Sequence, residues 1–326
     1  MMSVNDTITC VQEIKVGHAH YEHALTGCTV AILEKGCVVG VDVRGGNPGS
    51  YNVVCFQGTA TIESADAIFF SGGSWFGLDV AKGVRQYLID SRIGWDSGFG
   101  IMPCVTGAII FDLAIAKRGV RPDAKLGYAA ASSATIDPVA EGNVGAGTGA
   151  TVGKMLGIDK CMKGGVGSSG ITLDNGLCVG ALVVVNALGN VFNPNTGKTI
   201  AGTRKESGKG FVEATDLSPN VQFGLGRAPK NTTVGIVATN AKLSYKEAIK
   251  MAEISHDGIA RAIRPAHTTL DGDLIYTVAT CRLHEKQSFD YMAHLASEQM
   301  AKAIVRAVEK AKSIGSIPGL ADKHPA

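Results

Sequence analysis

Apolar residues alternate with glycine and polar turn residues through the first third of the chain, a pattern typical of short strands joined by tight turns. Two strands are predicted, Thr26–Ile32 and Cys37–Val43, with Glu34-Lys35-Gly36 between them. A third strand is predicted over Ala108–Phe111. Ser74 is predicted to cap a helix whose apolar positions share one face, namely Leu78, Val84, Tyr87 and Leu88.

The middle of the chain contains a hairpin pattern followed by a long polar segment. Gly170–Leu173 and Leu177–Val185 are predicted as paired strands, because Asn175-Gly176 between them readily supplies the positive φ values of a tight turn. From Asn190 to Lys230 the chain is polar and glycine-rich, without clear periodicity. A connector of that length is uncommon in a compact domain unless it is functional or mobile.

The last third predicts long amphipathic helices alternating with strands. Ser244-Tyr245-Lys246-Glu247 matches the S-x-x-E capping box, and apolar residues follow at helical spacing until Pro265 ends the helix. A strand is predicted over Asp273–Thr280, and Ser288 begins a final helix that closes near Gly315. Sheets covered by helices imply a layered sandwich.

Composition narrows the class of protein. The 326 residues are 45% hydrophobic and 18% charged with 42 glycines, which is typical of a compact, strand-rich α/β protein. A net charge of +2 with mixed signs provides no basic stripe for nucleic acid. The eight cysteines form no C-x-x-C pair and residues 1–6 contain no apolar signal core, so we expect a reduced, cytoplasmic protein. The longest apolar run, Cys178 to Leu188, is far shorter than the roughly 20 residues of a membrane span, so no membrane insertion is expected.

Asn231-Thr232-Thr233 forms the junction between the polar connector and an apolar strand predicted at 232–239. A threonine hydroxyl is a weak nucleophile unless a base takes its proton, and an N-terminal amine can be that base. Thr232 has such an amine only after the 231–232 peptide bond is cut, and an α-amino group titrates near ~8. The junction is therefore either a nucleophile uncovered by self-cleavage, with the connector hanging free afterwards, or an ordinary loop-to-strand junction.

Asp271-Gly272-Asp273 places two carboxylates two residues apart at the entrance of a predicted strand, where both can point to the same side. They could accept hydrogen bonds from the hydroxyl and ammonium groups of Thr232. The alternatives are a turn with solvated acids and a site for a hard metal ion. His267, four residues before Asp271, is expected to orient this acidic loop.

Two polar residues lie in apolar or glycine-rich surroundings. The stretch from Gly145 to Lys154 fails the spacing of a phosphate loop, and Met155 stands where Ser or Thr would hold Mg²⁺. It fits a backbone packed close to an active centre, although a lone lysine is usually a solvated surface residue. Asn186 interrupts a buried apolar run, so its NH₂ is either an oxyanion donor or part of a structural hydrogen bond to the backbone.

Two further motifs are given no chemical role. Gly72–Gly77 resembles a nucleophile elbow, but its glycine comes one residue too late, so Ser74 is interpreted as a helix cap. His18, His20 and His23 could bind a metal ion, yet histidines along a strand-like segment are more often surface or hydrogen-bonded residues. No metal site is therefore predicted.

Four segments together resemble one family, the self-processing L-aminopeptidase/D-esterases and β-peptidyl aminopeptidases: Asn231–Thr233, Ala238–Ser244, Arg264–Thr268 and Asp271–Asp273. The threonine and the paired aspartates look most like its nylon-oligomer (6-aminohexanoate oligomer) hydrolase branch. The resemblance runs from about residue 16 to 311. It implies an αββα sandwich of the N-terminal-nucleophile-like type in a single domain, residues 1–326. It also implies self-cleavage into a large subunit, 1–231, and a small subunit, 232–326, with no cofactor and assembly into homo-oligomers, commonly tetramers.

The resemblance also implies roles for individual residues. Thr232 matches the nucleophile, Asn231 the residue before the cut, Lys154 the catalytic lysine, Asn186 the oxyanion asparagine, and Asp271 and Asp273 the acidic pair. Aminopeptidase members tend to have Ser as nucleophile and Ser/Glu as that pair, so this chain departs from them. It also departs at Phe111, where a tyrosine hydroxyl is expected to assist the oxyanion. Phenylalanine cannot donate, so another backbone N–H compensates or turnover is slower.

The sequence therefore predicts an amide hydrolase that matures at Thr232 and acts on a small peptide or amide. One alternative is an acyltransferase of the ornithine acetyltransferase type, which also matures at an internal threonine but passes the acyl group to an amine. Another is a non-catalytic protein that binds a small molecule. Short peptides, β-amino acid peptides, D-amino acid amides and ω-amino acid oligomers remain open as substrates, as does endo or exo cleavage.

Overall fold

The computed structural model describes residues 5–218, 220–221 and 231–323. Two predicted segments lie partly outside the described residues. They are the N-terminal segment without a signal core, of which residues 1–4 are not described, and the connector, of which residues 219 and 222–230 are not described. The strands are β1 Ile14–Tyr21, β2 Thr26–Leu33, β3 Val38–Val43, β4 Ser50–Tyr51, β5 Ala67–Ser71, β6 Trp95–Asp96, β7 Ile101–Met102, β8 Val105–Ile109, β9 Thr151–Val152, β10 Met162–Lys163, β11 Gly165–Thr172, β12 Cys178–Asn186, β13 Asn190–Phe192, β14 Thr199–Ala201, β15 Thr232–Ala241, β16 Ile263–Arg264 and β17 Leu274–Leu283. The α-helices are α1 Val80–Asp90, α2 Ala124–Ser132, α3 Tyr245–Ala262 and α4 Phe289–Glu309.

Two five-stranded sheets pack face to face, and helices cover their outer faces. The first sheet has the strand order β1-β2-β5-β8-β4, and the second has the order β11-β12-β15-β17-β3. Each contains a parallel pair, β5 with β8 and β15 with β17. Helices α1 and α2 pack on the first sheet, and α3 and α4 pack on the second. The αββα sandwich expected from the sequence is confirmed.

The layer between the two sheets is apolar and contains one aromatic pair that joins them. Phe70 of β5 and Tyr276 of β17 are buried with their ring centroids 6.5 Å apart. The Tyr276 hydroxyl is 2.9 Å from Thr106 Oγ1 on β8, so its polar group has a partner. On the outer face of the second sheet, a Cβ at Gly40 of β3 would lie 2.5 Å from the Ile249 nitrogen. A glycine is therefore needed there for α3 to approach β3.

The predicted strands are confirmed, with shifted ends. The hairpin of β11 and β12 is longer than predicted, and Gly176 in its turn has a φ of +80°. Strand β8 begins earlier than the predicted strand and ends at Ile109. Phe111 therefore lies in the loop that follows β8 rather than in a strand.

The two long helices are confirmed together with their N-terminal caps. Ser244 Oγ accepts from Glu247 N at 3.3 Å, and Glu247 Oε2 accepts from Ser244 N at 2.8 Å, which is a complete capping box. At the start of α4, Ser288 Oγ accepts from Tyr291 N at 3.5 Å, which is a single side-chain cap. Helix α3 ends before Pro265, because the two residues after Ala262 pair with β13 as strand β16. Helix α4 likewise ends at Glu309, earlier than predicted.

Two local predictions are wrong. Ser74 caps no helix through its side chain; it begins the 3₁₀ helix Ser74–Asp79 with a φ of 54°, whereas an N-cap residue usually has an extended conformation. The predicted connector contains strands β13 and β14, which form a three-stranded sheet with β16. The Asn190 side chain holds this polar segment, because Oδ1 accepts from Thr203 N at 2.8 Å and Nδ2 donates to Val212 O at 2.9 Å. Because side-chain hydrogen bonds hold this segment, its sequence shows no periodic apolar pattern that would predict the strands.

In the described ranges, no helix is long and apolar enough to cross a membrane.

Candidate active site

Strand register brings the residues singled out in the sequence together around Thr232. Thr232 is the first residue of β15, and its Cα partner on the antiparallel neighbour β12 is Asn186. On the other side β15 runs parallel to β17, and Asn231 forms a bridge with Asp271. Thr232 is only 3% exposed. The acidic loop and the asparagine therefore flank a buried threonine on opposite sides.

The peptide bond between Asn231 and Thr232 is held by hydrogen bonds. The Thr232 hydroxyl donates to the carbonyl oxygen of Asn231, and Gly272 N donates to the same oxygen at 2.8 Å. Asn231 N donates to Leu270 O at 3.1 Å. A Cβ on Gly272 would lie 2.8 Å from Asn47 O and 3.0 Å from Thr232 Oγ1. Glycine thus lets the backbone of the acidic loop approach this peptide bond.

Both carboxylates of the acidic pair are buried and hydrogen-bonded. Asp273 Oδ1 accepts from Thr233 N at 2.6 Å, and Asp273 Oδ2 accepts from His267 N at 3.0 Å. Asp271 accepts from Thr268 N at 3.1 Å and from the Thr268 hydroxyl. Burial raises the pKa of Asp271 to about 6, with repulsion from Asp273 as the second cause. The alternative of a turn with solvated acids is therefore wrong.

Lys154 and Asn186 form a second buried polar pair. Lys154, which is 1% exposed, donates through Nζ to both Asn186 O and Asn186 Oδ1 at 2.9 Å. Burial lowers the pKa of Lys154 to about 7, and the nearby Cys161 and Asp271 oppose this effect. Asn186 Nδ2 donates to Phe111 O at 3.1 Å. Lys154 is thus a buried lysine bonded to Asn186 rather than a solvated surface lysine.

The three histidines His18, His20 and His23 do not converge. His18 Nδ1 is 2.9 Å from Thr29 Oγ1, His20 Nδ1 accepts from Gly145 N at 3.4 Å, and His23 is exposed. Among the residues that the structure describes, no group of three or more His, Cys, Asp or Glu side chains could hold a metal ion.

The structure adds groups that the sequence did not single out. Gly272 contributes a backbone N–H, which every residue type except proline has, so no sequence signal marks it. Lys163 is fully buried and donates to Thr148 O at 2.9 Å and Ala150 O at 2.6 Å. Asp112, one residue after Phe111, accepts from Thr26 Oγ1 at 2.6 Å and from Gly73 N at 2.7 Å. The glycines around Lys163 in the sequence were its one available signal.

The four-layer fold has a buried threonine at the start of a central strand of its second sheet. A solved structure of the L-aminopeptidase D-Ala-esterase/amidase from Ochrobactrum anthropi, described as a variant of the Ntn hydrolase fold, superimposes with a TM-score of 0.70. The match covers 96% of this chain and 88% of that one at 17% identity, so it shows the fold alone.

The chain belongs to peptidase family S58, whose model matches residues 6–319. It is 35% identical to an uncharacterized aminopeptidase of Mycobacterium tuberculosis (strain ATCC 25618 / H37Rv), over 98% of both chains. It is 31% identical to the 6-aminohexanoate-oligomer endohydrolase of Kocuria sp. (strain KY2), over 82% of this chain and 73% of that one. The protein is a hydrolase that acts on amide or peptide bonds.

Proposed function

We propose that this hydrolase cuts its own chain between Asn231 and Thr232 and then uses the new N-terminal threonine to hydrolyse small peptides or amides. The observation that carries the proposal is the contact of the Thr232 hydroxyl with the Asn231 carbonyl, which Gly272 N–H also holds. A hydroxyl placed at the preceding carbonyl is the arrangement that an N→O acyl shift requires.

Self-cleavage begins when Thr232 Oγ1 attacks the carbonyl carbon of Asn231. The new Oγ1–C bond forms an ester, the C–N bond breaks, and the hydroxyl proton ends on the freed nitrogen of Thr232. The N–H of Gly272, which already donates to this carbonyl oxygen, stabilises the negative charge that the oxygen carries in the tetrahedral intermediate. One such donor contributes about 3–4 kcal/mol to transition-state stabilisation. Water then hydrolyses the ester and leaves Thr232 with a free amine.

Turnover uses the same groups on a substrate amide. The Thr232 amine acts as general base for its own hydroxyl, and Asp271 and Asp273 orient the ammonium and hydroxyl groups. Lys154 supplies positive charge next to Asn186, whose amide stabilises the oxyanion. Phe111 has no hydroxyl to donate, so the N–H of Gly272 is the further oxyanion donor in this scheme.

Two broader parts of the proposal rest on the family resemblance and on composition. We expect a homo-oligomer, a tetramer in the first instance, because the resembled family assembles in that way. We expect a cytoplasmic enzyme, which agrees with eight free cysteines. The substrate class is a short peptide or a small amide, with the nylon-type oligomer included because a 6-aminohexanoate-oligomer endohydrolase is a relative.

The test is a panel of amides assayed with the protein and with its Thr232→Ala variant. The panel contains short α-peptides, β-peptides, D-amino acid amides and 6-aminohexanoate oligomers, each with and without an acceptor amine. We expect release of free amine in water, and a loss of at least about 10⁴-fold in Thr232→Ala, since removal of a nucleophile costs about that much or more. Equal hydrolysis by the two proteins would refute the proposal, and acyl transfer that outruns hydrolysis would favour the acyltransferase alternative.

A further inference from the structure

The loop that follows β8 contains a buried carboxylate, Asp112, which is bonded on every side. Its Oδ2 accepts from Thr26 Oγ1 at 2.6 Å, and its Oδ1 accepts from Gly73 N at 2.7 Å. Its backbone oxygen accepts from Ile115 N and Ala116 N, both at 3.0 Å. Asp112 is only 1% exposed. Contacts with three separate parts of the chain therefore fix the position of this residue.

Two glycines make room for the Asp112 side chain. A Cβ on Gly72 would lie 2.0 Å from Asp112 Oδ2, and a Cβ on Gly149 would lie 2.6 Å from Asp112 Cβ. Burial raises the pKa of Asp112 to about 6, and the hydrogen bonds from Thr26 and Gly73 oppose this effect. The carboxyl is therefore ionised near neutral pH, and the backbone packed around it leaves its side chain little room to turn.

The residue before Asp112 contacts the asparagine that is proposed to stabilise the oxyanion. Phe111 O accepts from Asn186 Nδ2 at 3.1 Å. On the other side of Phe111, the oxygen of Ile110 accepts from Ser74 N at 3.0 Å. The Phe111 carbonyl thus lies between two anchored residues, and it cannot move away from Asn186 unless one of those anchors is released.

The other contacts of Asn186 fix the direction of its amide group. Its Oδ1 accepts from Lys154 Nζ at 2.9 Å and from Thr151 N at 3.0 Å, so the oxygen faces these two residues. Its Nδ2 carries two hydrogens, one of which points to Phe111 O. Asn186 is also the Cα partner of Thr232. When one hydrogen is held by Phe111, the direction of the second hydrogen is fixed as well, and this is the one that an oxyanion at Thr232 would use.

We propose that Asp112 is a positioning residue that acts through the Phe111 carbonyl and directs the second N–H of Asn186 at the oxyanion during turnover. The role rests on the oxyanion function proposed above for Asn186. Asp112 touches neither the substrate nor the reacting atoms, and its effect passes through the backbone of the loop. Self-cleavage uses the N–H of Gly272 as its donor, so it should respond less to a change at Asp112 than turnover does.

The first test compares two substitutions of Asp112 in the cleaved enzyme. Alanine leaves Thr26 and Gly73 without their acceptor, so we expect kcat to fall by about 10–10²-fold, the cost of a misplaced catalytic group, while KM changes by less than about threefold. Asparagine should rescue kcat to within about threefold, because its oxygen accepts from Gly73 N and the Thr26 hydroxyl can turn to accept from its NH₂. An Asp112→Asn variant as slow as Asp112→Ala would overturn the proposal.

A double variant separates this role from a general weakening of the fold. Asn186→Asp has no NH₂ group, so in that background the position of Phe111 O no longer affects an oxyanion donor. We expect kcat of Asp112→Ala/Asn186→Asp to lie within about threefold of kcat of Asn186→Asp alone, whereas independent effects would multiply. Multiplied effects would contradict the proposal.

The matched control is Asp66→Ala, at a carboxylate that holds the opposite end of the same strand. Asp66 Oδ2 accepts from Cys104 N at 2.7 Å, directly before β8 begins. We expect kcat of the folded Asp66→Ala enzyme to be unchanged. A loss equal to that of Asp112→Ala would mean that any loosening of β8 slows turnover, which would remove the specific role of Asp112.

Thr26→Val covers the case in which Asp112→Ala does not fold. Valine has nearly the shape of threonine but cannot donate, so Asp112 loses one hydrogen bond and the loop keeps its other contacts. We expect kcat to fall by about 3–10-fold, and this fall to disappear in the Asn186→Asp background. A fall of the same size in both backgrounds would contradict the proposal. If Thr232→Ala hydrolyses the substrate normally, the proposed function fails; if Thr232 is required but this coupling is missing, only the role of Asp112 fails.

Discussion

At the scale of single residues, the carbonyl oxygen of Asn231 is the point on which the site converges. It accepts from the hydroxyl of Thr232 and from the N–H of Gly272. The neighbouring Thr233 N–H is held by Asp273, so the backbone is fixed on both sides of the peptide bond. In the proposed self-cleavage, this arrangement lowers the entropic cost of bringing the hydroxyl and the carbonyl together, which is a large part of many barriers.

Asn186→Asp removes the NH₂ group of this side chain, which donates to Phe111 O, and keeps its acceptor oxygen. Aspartate keeps an acceptor for Lys154 Nζ and Thr151 N but loses the NH₂ group. We expect kcat to fall by about 10²–10³-fold, the usual cost of one oxyanion donor. The assay uses the cleaved fraction, and thermal unfolding checks that the fold is intact. A kcat near that of the unchanged enzyme would remove Asn186 from the oxyanion site.

The pH dependence of turnover follows from two buried groups with shifted pKa values. Burial raises the pKa of Asp271 to about 6, so its carboxylate forms, and kcat/KM rises, as the pH increases through that value. Burial lowers the pKa of Lys154 to about 7, so its positive charge, and activity with it, is lost above that value. The Thr232 amine must also be neutral to act as base, so we expect a narrow bell-shaped profile whose acid limb shifts in Asp271→Asn but does not disappear. A flat profile between about pH 5 and 8 would contradict both assignments.

The candidate residues could be named from the sequence, but their environment could not. Thr232, Asn186 and the acidic pair each interrupt or begin an apolar run, which is a visible signal. Lys154 and Lys163 carry no such signal, because burial of a lysine depends on distant backbone carbonyls that accept its hydrogens. His256 lies on the buried face of α3, where a sequence offers no reason to choose histidine over an apolar residue.

At the scale of secondary-structure elements, the site depends on where three strands begin and end. Strand β15 starts at Thr232, directly opposite the last residue of β12, Asn186. The parallel partner β17 starts at Leu274, which leaves the acidic residues 271–273 in the loop beside Asn231. A shift of one residue in either register would turn the Thr232 side chain to the other face of the sheet.

Ser244→Ala tests whether an element can be weakened without damage to the site. The variant removes the capping box of α3, whose Ser244 and Glu247 satisfy each other's backbone N–H groups. We expect the free energy of unfolding to fall by about 1 kcal/mol, with kcat and self-cleavage unchanged. Chemical denaturation and the peptide assay measure the two effects. Loss of activity at unchanged stability would mean that α3 contributes to the site in a way not described above.

Elements with strong local signals were predicted from sequence, and elements held by distant contacts were not. The capping box of α3, the Ser288 cap of α4 and the helical spacing predict both helices, because those signals lie within a few residues of each helix. Strands β13 and β14 were missed, since the Asn190 side chain bonds to Thr203 and Val212, more than ten residues away. The interpretation of Ser74 as a cap is wrong because a sequence does not reveal its positive φ.

At the scale of the whole molecule, the four layers create an interior deep enough to bury lysine and carboxylate side chains. Lys154, Lys163, Asp112 and Asp271 are each at most 2% exposed. The low dielectric of such an interior shifts each pKa toward the neutral form of the group. Burial of these four ionisable groups therefore costs stability at the pH values at which each group is charged in water.

The burial of Lys163 predicts a specific dependence of stability on pH. Its pKa is lowered from 10.5 to about 7 by burial, so its contribution to stability is fully present above 10.5 and is lost as pH falls through about 7. We expect the free energy of unfolding to drop between about pH 9.5 and 7, and Lys163→Met to reduce that drop by roughly 2–3 kcal/mol. Denaturation is measured in the Thr232→Ala background, which is expected to stay uncleaved, so that a single polypeptide unfolds. An equal drop with and without Lys163 would contradict this account.

Mass spectrometry of the purified, enzymatically active protein tests self-cleavage most directly. The account predicts two polypeptides whose masses correspond to residues 1–231 and 232–326, and a single intact chain for Thr232→Ala. Sequencing of the smaller polypeptide should begin at Thr232. An active preparation that contains only the intact 326-residue chain would contradict the central claim.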